Sequence, residues 1–436
     1  MGGGYPPTRG RPGRSLRCRP DGSRYRDLVR SPLGARPAIA ALLFALAANA
    51  FATSAVVTIL GKQVFDMTGR ELDLALLGFW EFVPILLMAP IAGTLADRLD
   101  RRWVLMGGLA LEAVAAVALW RYIATDPASL RPILATVFLF GVARAFVAPA
   151  AGSLLIDLAP LDTVERIVAL RSVVTQVARI AGPVAAGFVF VAAIELPYLM
   201  AAAVIVGSLV AVSLIRGVEV SRLESAPSVR QTVIDAWEGA RFIRANPVLR
   251  GAISLDLFAV LLGGAVALLP AIAEERLGVG AVGLGWLRAG VGIGALTVSS
   301  WIALRPLRRR VGRALFTSVA VFGGATIVLG LTTSYIVAFA AIVVLAGADA
   351  VSVFVRITLV PLATPQHMRG RVLAMENVFI GASNELGAVE SGVAAQLLGL
   401  VTTVVLGGVG TLAVVGIWWK LFPQLAGINR FSDLVE

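Results

Sequence analysis

One cysteine and one histidine in 436 residues leave almost no soft ligands in this chain. Cys18 has no cysteine partner, so an intrachain disulfide is excluded, and no multi-cysteine metal site can be built. His367, the lone histidine, is predicted to lie in a loop. Charge is scarce as well: Asp, Glu, Lys and Arg together make up 15% of the residues, against roughly a quarter in an ordinary soluble domain. There is no G-x-x-x-x-G-K-[ST] phosphate loop and no G-x-S-x-G nucleophile elbow. ATP-driven pumping, hydrolase chemistry and a resident metal or organic cofactor therefore have no support, and an enzyme is not expected.

What the chain has in abundance is apolar surface. Hydrophobic residues reach 58%, more than a soluble core of this length can hide, which points to a lipid solvent. The formal net charge of +11 comes almost wholly from arginine. In a soluble protein that excess would suggest nucleic acid; here it suggests arginines gathered in the cytosolic loops of a multi-pass protein.

A span needs about 20 mostly apolar residues. Twelve such segments are predicted, at 37–59, 74–96, 103–123, 132–157, 168–192, 195–215, 251–272, 283–304, 314–333, 335–358, 372–399 and 402–421. They divide the chain into a basic tail (1–35) with too few apolar side chains to fold, a six-helix bundle (36–215), a polar linker (216–248), a second six-helix bundle (249–421) and a short C-terminal tail (422–436). A signal peptide does not fit, because the first apolar run is too long and many more follow. Helical spacing over Val229–Arg244, with Val233, Trp237, Ala240 and Phe242 to one side, reads as an interfacial amphipathic helix in the linker. With both termini cytosolic, 29 of the 38 basic residues fall in inner segments, five in outer loops (Lys62 among them), and Arg144, Arg179, Arg288 and Arg356 within spans. That asymmetry orients the chain in a cytoplasmic membrane by the positive-inside rule.

The two bundles resemble each other. A shift of 205 residues lays Pro160 on Pro365, Gly182 on Gly387 and Gly187 on Gly392; a shift of 207 lays Arg98, Arg101 and Arg102 on Arg305, Arg308 and Arg309. Parallel repeats of this kind suggest two related halves, with an axis along the membrane normal between them.

One connection is distinctive. Residues 93–102 read Gly93-Thr94-Leu95-Ala96-Asp97-Arg98-Leu99-Asp100-Arg101-Arg102. This run resembles the loop between the second and third helices of the major facilitator superfamily, G-x-L-a-D-R-x-G-R-[RK], with Asp100 where the family usually has glycine. Ile253–Phe258 followed by Leu268-Leu269-Pro270, and Arg369-Gly370-Arg371-Val372, resemble the seventh helix and the loop before the eleventh in bacterial exporters related to the enterobactin exporter and the macrolide-efflux proteins. Gly182-Pro183…Gly187 resembles the fifth-helix pattern of antiporters, with Ala185 and Ala186 in place of some of its glycines. Gly141-Val142-Ala143-Arg144 resembles the fourth-helix arginine motif. The resemblance covers about residues 30–425. It implies an all-α fold of twelve transmembrane helices in two six-helix pseudo-symmetric bundles. It also implies export of a small amphipathic, drug-like or siderophore-like molecule by alternating access, in exchange for protons. The partners implied are the substrate, protons and the lipid bilayer around a monomer.

Site expectations follow from the cost of ions in hydrocarbon, which marks intramembrane charges as functional candidates. Gly93, Asp97, Arg98, Arg101 and Arg102 are expected to hold the cytosolic side shut in the outward-facing state. Arg144, about 12 residues or some 18 Å into the fourth span, and its repeat-mate Asp349 are expected to pair across the cavity. Arg179 lies at mid-depth in the fifth span, and Asp256 is a coupling candidate near the cytosolic end of the seventh, where it could instead cap or pair locally. Glu385 and Glu390, five residues apart, cannot share a helical face, so one is expected in the cavity and the other against a neighbouring helix. Glu112, in the peripheral third span, reads as a structural hydrogen-bonding group. Glu81 and Arg288 are repeat-related and expected near the outer surface. Gly182, Pro183, Gly187, Gly387 and Gly392 are expected to allow close helix contact and sliding. An importer or facilitated diffuser on the same fold, a channel and a non-transporting membrane receptor are the competing readings.

Overall fold

Helices of 16 to 37 residues follow one another along the chain with turns as short as one or two residues between them. The computed structural model describes residues 32–126, 129–160, 162–215 and 229–434. Most of the basic tail, with Cys18, and the first part of the linker lie outside these residues. So do the side chains of Gly93, Asp97 and Arg98, although their backbone is helical. The first half comprises α1 (Pro32–Thr68), α2 (Glu71–Arg98), α3 (Arg101–Ile123), α4 (Arg131–Leu158), α5 (Val164–Ala192) and α6 (Leu196–Ser213). A linker helix, α7 (Val229–Ala245), precedes the second half: α8 (Pro247–Leu262), α9 (Ala281–Leu304), α10 (Val311–Leu331), α11 (Tyr335–Leu362), α12 (Arg369–Leu398) and α13 (Leu400–Leu421).

Local chemistry sets the helix ends. Gly69 (φ 59°) turns α1 into α2 and Gly399 (φ 86°) turns α12 into α13, both in the left-handed region that glycine enters without penalty. Asn246 caps α8 by accepting from the amides of Val248 and Leu249 at 3.0 and 3.2 Å, with Pro247 in the first turn. Asp100, the departure from the family's usual glycine, has φ −62°, which needs no glycine, and its carboxylate caps α3 by accepting from the Arg102 amide at 2.9 Å.

Two differences from the expected spans stand out. The first helix extends well past residue 59, to Thr68, so Lys62 belongs to a helix and not to a loop. The seventh span is not continuous: α8 stops at Leu262, and Gly264–Val266, Leu269–Ala271 and Ile272–Arg276 follow as short 3-10, α and π segments. Adjacent glycines, Gly263 and Gly264, place the break, and Gly264 lies so close to α12 that a Cβ there would come within 2.6 Å of the Gly387 carbonyl. Irregular backbone at this depth is tolerated only where protein surrounds it or a cavity adjoins it.

Ten helices among the described residues are long and apolar enough to cross a bilayer. The remaining two long helices of the bundles, α2 and α12, carry Glu81 and Glu385 and pack against each other between the halves. Each half has its own apolar core, one around Ile59, Leu105 and Leu154, the other around Leu255, Phe316 and Leu359. A third core joins Phe65 and Leu74 of the first half to Leu268, Leu269 and Leu284 of the second, near the α1–α2 turn. Large apolar side chains such as Ile336 (78% exposed) and Leu397 (76%) cover the flanks, as a lipid solvent requires.

The repeated glycines do equivalent work in the two halves. A Cβ on Gly182 would fall 2.4 Å from the Phe51 carbonyl of α1, and one on Gly387 2.8 Å from the Val260 carbonyl of α8. Both pack a helix inside its own half. A Cβ on Gly187 would fall 2.5 Å from the Ala281 carbonyl of α9, and one on Gly392 2.5 Å from Ala75 of α2. Both pack across the two halves, so the seams α5–α9 and α2–α12 are symmetry mates.

Seam and core glycines should therefore be intolerant of substitution. Gly141→Ala would set a methyl 2.1 Å from the Glu81 carbonyl of α2, and is expected to cost about 1–3 kcal/mol through overpacking. Gly107→Ala and Gly207→Ala, whose added methyls meet nothing within 4 Å, should be neutral or slightly stabilising. Thermal unfolding of the purified variants reads the difference.

Candidate functional site

Between the halves lies a cavity of two lobes, of about 680 and 660 Å³. One lobe reaches Gly61, Leu74 and Pro270 beneath the α1–α2 turn; the other runs toward Leu46, Ala151 and Arg171 at the opposite end. Four ionisable residues line both lobes: Glu81, Arg179, Arg288 and Glu385.

Gly141 positions the first ion pair. Because it carries no Cβ, α4 can approach α2 closely, and one turn later the Arg144 guanidinium donates to the Glu81 carboxylate. The expected Arg144–Asp349 pair is therefore not formed. Both arginine and glutamate lie in the first half, whereas Asp349 lies on α11 in the second, where its charged neighbours are Asp256 and Arg356. Repeat symmetry sets Arg144 and Asp349 on equivalent helices of opposite halves, and the cavity intervenes. Glu81 and Arg288, the repeat-related pair, both line the two lobes of the cavity.

Glu385 projects from α12 against α2, where the Gly78 backbone leaves room for it: a Cβ there would lie 2.8 Å from the carboxylate. Arg144 is its electrostatic partner. Glu390 turns away; it is exposed and accepts a hydrogen bond from Ser391 at 3.3 Å. Glu385 thus meets the cavity, whereas Glu390 is not set against a neighbouring helix as expected. Glu112 is fully buried and borders the lobe of Leu46, Ala151 and Arg171, with Asn49 beside it as its hydrogen-bonding neighbour.

The second half holds a buried cluster. Asp256 accepts from Arg356 at 2.8 Å, and Glu376 lies 3.9 Å from the same guanidinium. The side chains of Asp256 and Arg356 are 7% and 4% exposed, so of the two local roles open to Asp256, capping or pairing, the structure has the pair. Arg356 was legible only as a charge within an apolar run; its partner on α8 was not.

The two ends of the molecule differ. At the α1–α2 end, Lys62 bonds Asp66 on its own helix at 2.8 Å and Glu274 of the other half at 2.9 Å. The i,i+4 spacing of Lys62 and Asp66 was visible in the sequence; Glu274 was not, because it follows the break in the seventh span. At the other end, Arg101 bonds Asp157 at 2.5 Å and Arg102 donates to the Ser213 carbonyl at 2.5 Å, tying α3 to α4 and α6 within one half. The part of the motif expected to bridge to a neighbour, Asp97 with Arg98, lies outside the described side chains. Arg371, from the run Arg369-Gly370-Arg371-Val372, pairs with Asp235 at 3.1 Å and with Glu238, fastening α12 to the linker helix α7. On α7, Trp237 is 74% exposed, while Gly239 and Ile243 are buried and Phe242 packs against the second core.

Asp256→Ala would leave Arg356 buried with only Glu376, 3.9 Å away, to answer it, with an expected loss of up to about 3–5 kcal/mol. Adding Arg356→Met should restore most of it, and a double-mutant cycle by thermal or denaturant unfolding measures the coupling.

The profile of the Major Facilitator Superfamily matches residues 39–388. A Bacillus subtilis (strain 168) protein named as an uncharacterized MFS-type transporter, YfiS, is 24% identical over 291 residues, and the match covers 64% of each chain, just under two thirds of that relative's length. Among solved structures, the nucleoside transporter NupG superposes with a TM-score of 0.72 at 11% identity, over 88% of this chain and all of that one. A POT family transporter in complex with 5-aminolevulinic acid gives 0.70 at 13% identity, over 89% of this chain and 96% of that one. A bacterial homologue of the human lysosomal transporter Spinster, inward-facing and unoccupied, gives 0.64 at 15%, over 91% and 97%. Two halves related by repeated glycines, a charged cavity between them and a family match over most of the chain lead to one assignment: this chain belongs to the Major Facilitator Superfamily and is a multi-pass membrane transporter, not an enzyme.

Proposed function

We propose that the chain exports a small amphipathic organic molecule across the cytoplasmic membrane by alternating access, in exchange for protons. One observation carries the reading: an ion pair, Glu81–Arg144, and a second acid beside it, Glu385, share a cavity bounded by both halves. A carboxylate there can hold either a proton or a polar group of the substrate, and mutual exclusion at one site is what exchange needs.

Orientation follows from the basic loops, which assign the end bearing Arg101, Arg102 and Arg371 to the cytosol, with both termini, and the α1–α2 turn to the outside. Contacts between halves then concentrate on the outer side. Lys62–Glu274, the Gly187–Ala281 and Gly392–Ala75 approaches, and the apolar seal of Phe65 and Leu74 all lie there. The inner lobe runs toward the cytosol, and this arrangement is an inward-facing state, ready to collect substrate from inside. The resemblance of residues 253–258 and 182–187 to bacterial exporters and antiporters supports the outward direction. Glu385 is the proton carrier in this reading, with Asp349 and Asp256 as further coupling groups. The motif around Asp97, Arg98, Arg101 and Arg102 closes the cytosolic side in the alternate state.

Everted vesicles test the reading. Substrate addition should release protons, and Glu385→Gln should abolish release while leaving the protein folded; unchanged release in that variant removes Glu385 from the mechanism. A disulfide between K62C and E274C should stop transport while a cysteine at Thr175 in the inner lobe stays reactive to cytosolic reagent. Loss of that reactivity on cross-linking would reverse the assignment of the closed end.

A further inference from the structure

Arg179 and Arg288 have no hydrogen-bond or ion-pair partner among the described residues, although both line the two lobes of the cavity. The Nε of Arg288 is buried with nothing to donate to. Three other cations within the helices are answered: Arg144 has Glu81, Arg356 has Asp256, and Lys62 has Asp66 and Glu274. The nearby carboxylates Glu385 and Asp349, whose cationic neighbours are Arg144 and Arg356, can become neutral by taking a proton. A guanidinium cannot shed its charge. An unpaired arginine in a low-dielectric cavity therefore calls for an anion from outside the protein.

The two arginines also come from different halves. Arg179 lies on α5 and Arg288 on α9, the helices of one inter-half seam, where Gly285 admits the Pro183 carbonyl and Gln176 donates to the Gly292 carbonyl at 3.3 Å. Gly285 meeting Pro183 and Gly292 meeting Ile180 set the two arginines at one level, one on each side of the seam.

We propose that Arg179 and Arg288 form a clamp for a carboxylate group on the transported molecule. This deepens the export reading and rests on it: the substrate is an amphipathic organic acid, its apolar body against residues such as Val57, Val266 and Val291 and its carboxylate between the two guanidinium groups. The planar, forked donors of arginine suit a carboxylate in bidentate fashion. Because each half contributes one arginine, a bound anion joins the halves, and the same ligand that fills the cavity bears on their relative movement.

The test uses matched pairs of probes that differ only in charge: 2-naphthoate against 2-naphthamide, and indole-3-acetate against indole-3-acetamide. Unfolding of the purified full-length protein in detergent is followed at constant chloride. A ligand that binds the folded state raises the apparent unfolding temperature by mass action. The acids should raise it by ~2 °C or more, the amides should not, and both Arg288→Gln and Arg179→Gln should lose the response. Ligand-free Arg288→Gln should unfold no lower than the parent protein, since glutamine removes an uncompensated charge, and this guards against misreading a folding defect. Amides as effective as acids, a shift that survives in Arg288→Gln, or an equal Arg288-dependent shift on raising sodium chloride about tenfold, would each overturn the clamp. Proton release from vesicles is read apart from this. Proton release with no discrimination between acids and amides defeats the clamp alone. An Arg288-dependent acid shift without proton release defeats the exchange reading alone.

Discussion

An arginine or lysine placed in hydrocarbon has to be answered by an acid, by water or by a ligand, and most of this architecture can be read as the set of answers. Arg144 is answered inside the first half, Arg356 inside the second, and Lys62 by one acid from each half. Each answer requires two helices to come close at one level, and glycine supplies the closeness. Gly141 brings α4 onto α2 beside Glu81, and Gly78 gives Glu385 its place against α2. Packing and electrostatics are thus one problem here: the small residues decide where backbones meet, and the meeting points decide which ions can pair.

The fold was largely legible in the sequence because its signals are one-dimensional. Apolar runs of span length, a polar linker, arginines on alternate loops and a glycine pattern repeated at a shift of 205 residues give the span count, the two halves and their relation. The repeat even anticipated function at the level of packing, since Gly182 and Gly387 meet equivalent helices, as do Gly187 and Gly392. The departures are where hydropathy carries no information. It cannot see that the first helix continues to Thr68, or that Gly263 and Gly264 break the seventh span into short segments that bring Glu274 to Lys62.

The site was legible as a list of charges but not as a set of pairs. Arg144, Arg179, Arg288, Asp349 and Glu385 all border the cavity. Partnership, however, depends on rotation about each helix axis and on distance across the pseudo-twofold. Symmetry related Arg144 to Asp349, and symmetry-related positions in two bundles face each other across a gap instead of touching. Glu81 reached Arg144 because its helix is a neighbour within the same half. The same reasoning separates Glu385 from Glu390: five residues turn a helix by well over one revolution, so one carboxylate meets the cavity and the other does not.

Lys62 has a consequence for how the outer end can part. Its ammonium is shared between Asp66, one turn along the same helix, and Glu274 on the opposing half. Separation of the halves would break the second contact and leave the first intact, so the ammonium is never abandoned in a dry environment, and Glu274, half exposed, is released toward water. Such a fastening resembles a hinge pin that stays in one leaf when the door comes off: the cost of undoing it is a single exposed contact, and the part needed to refasten it remains in place.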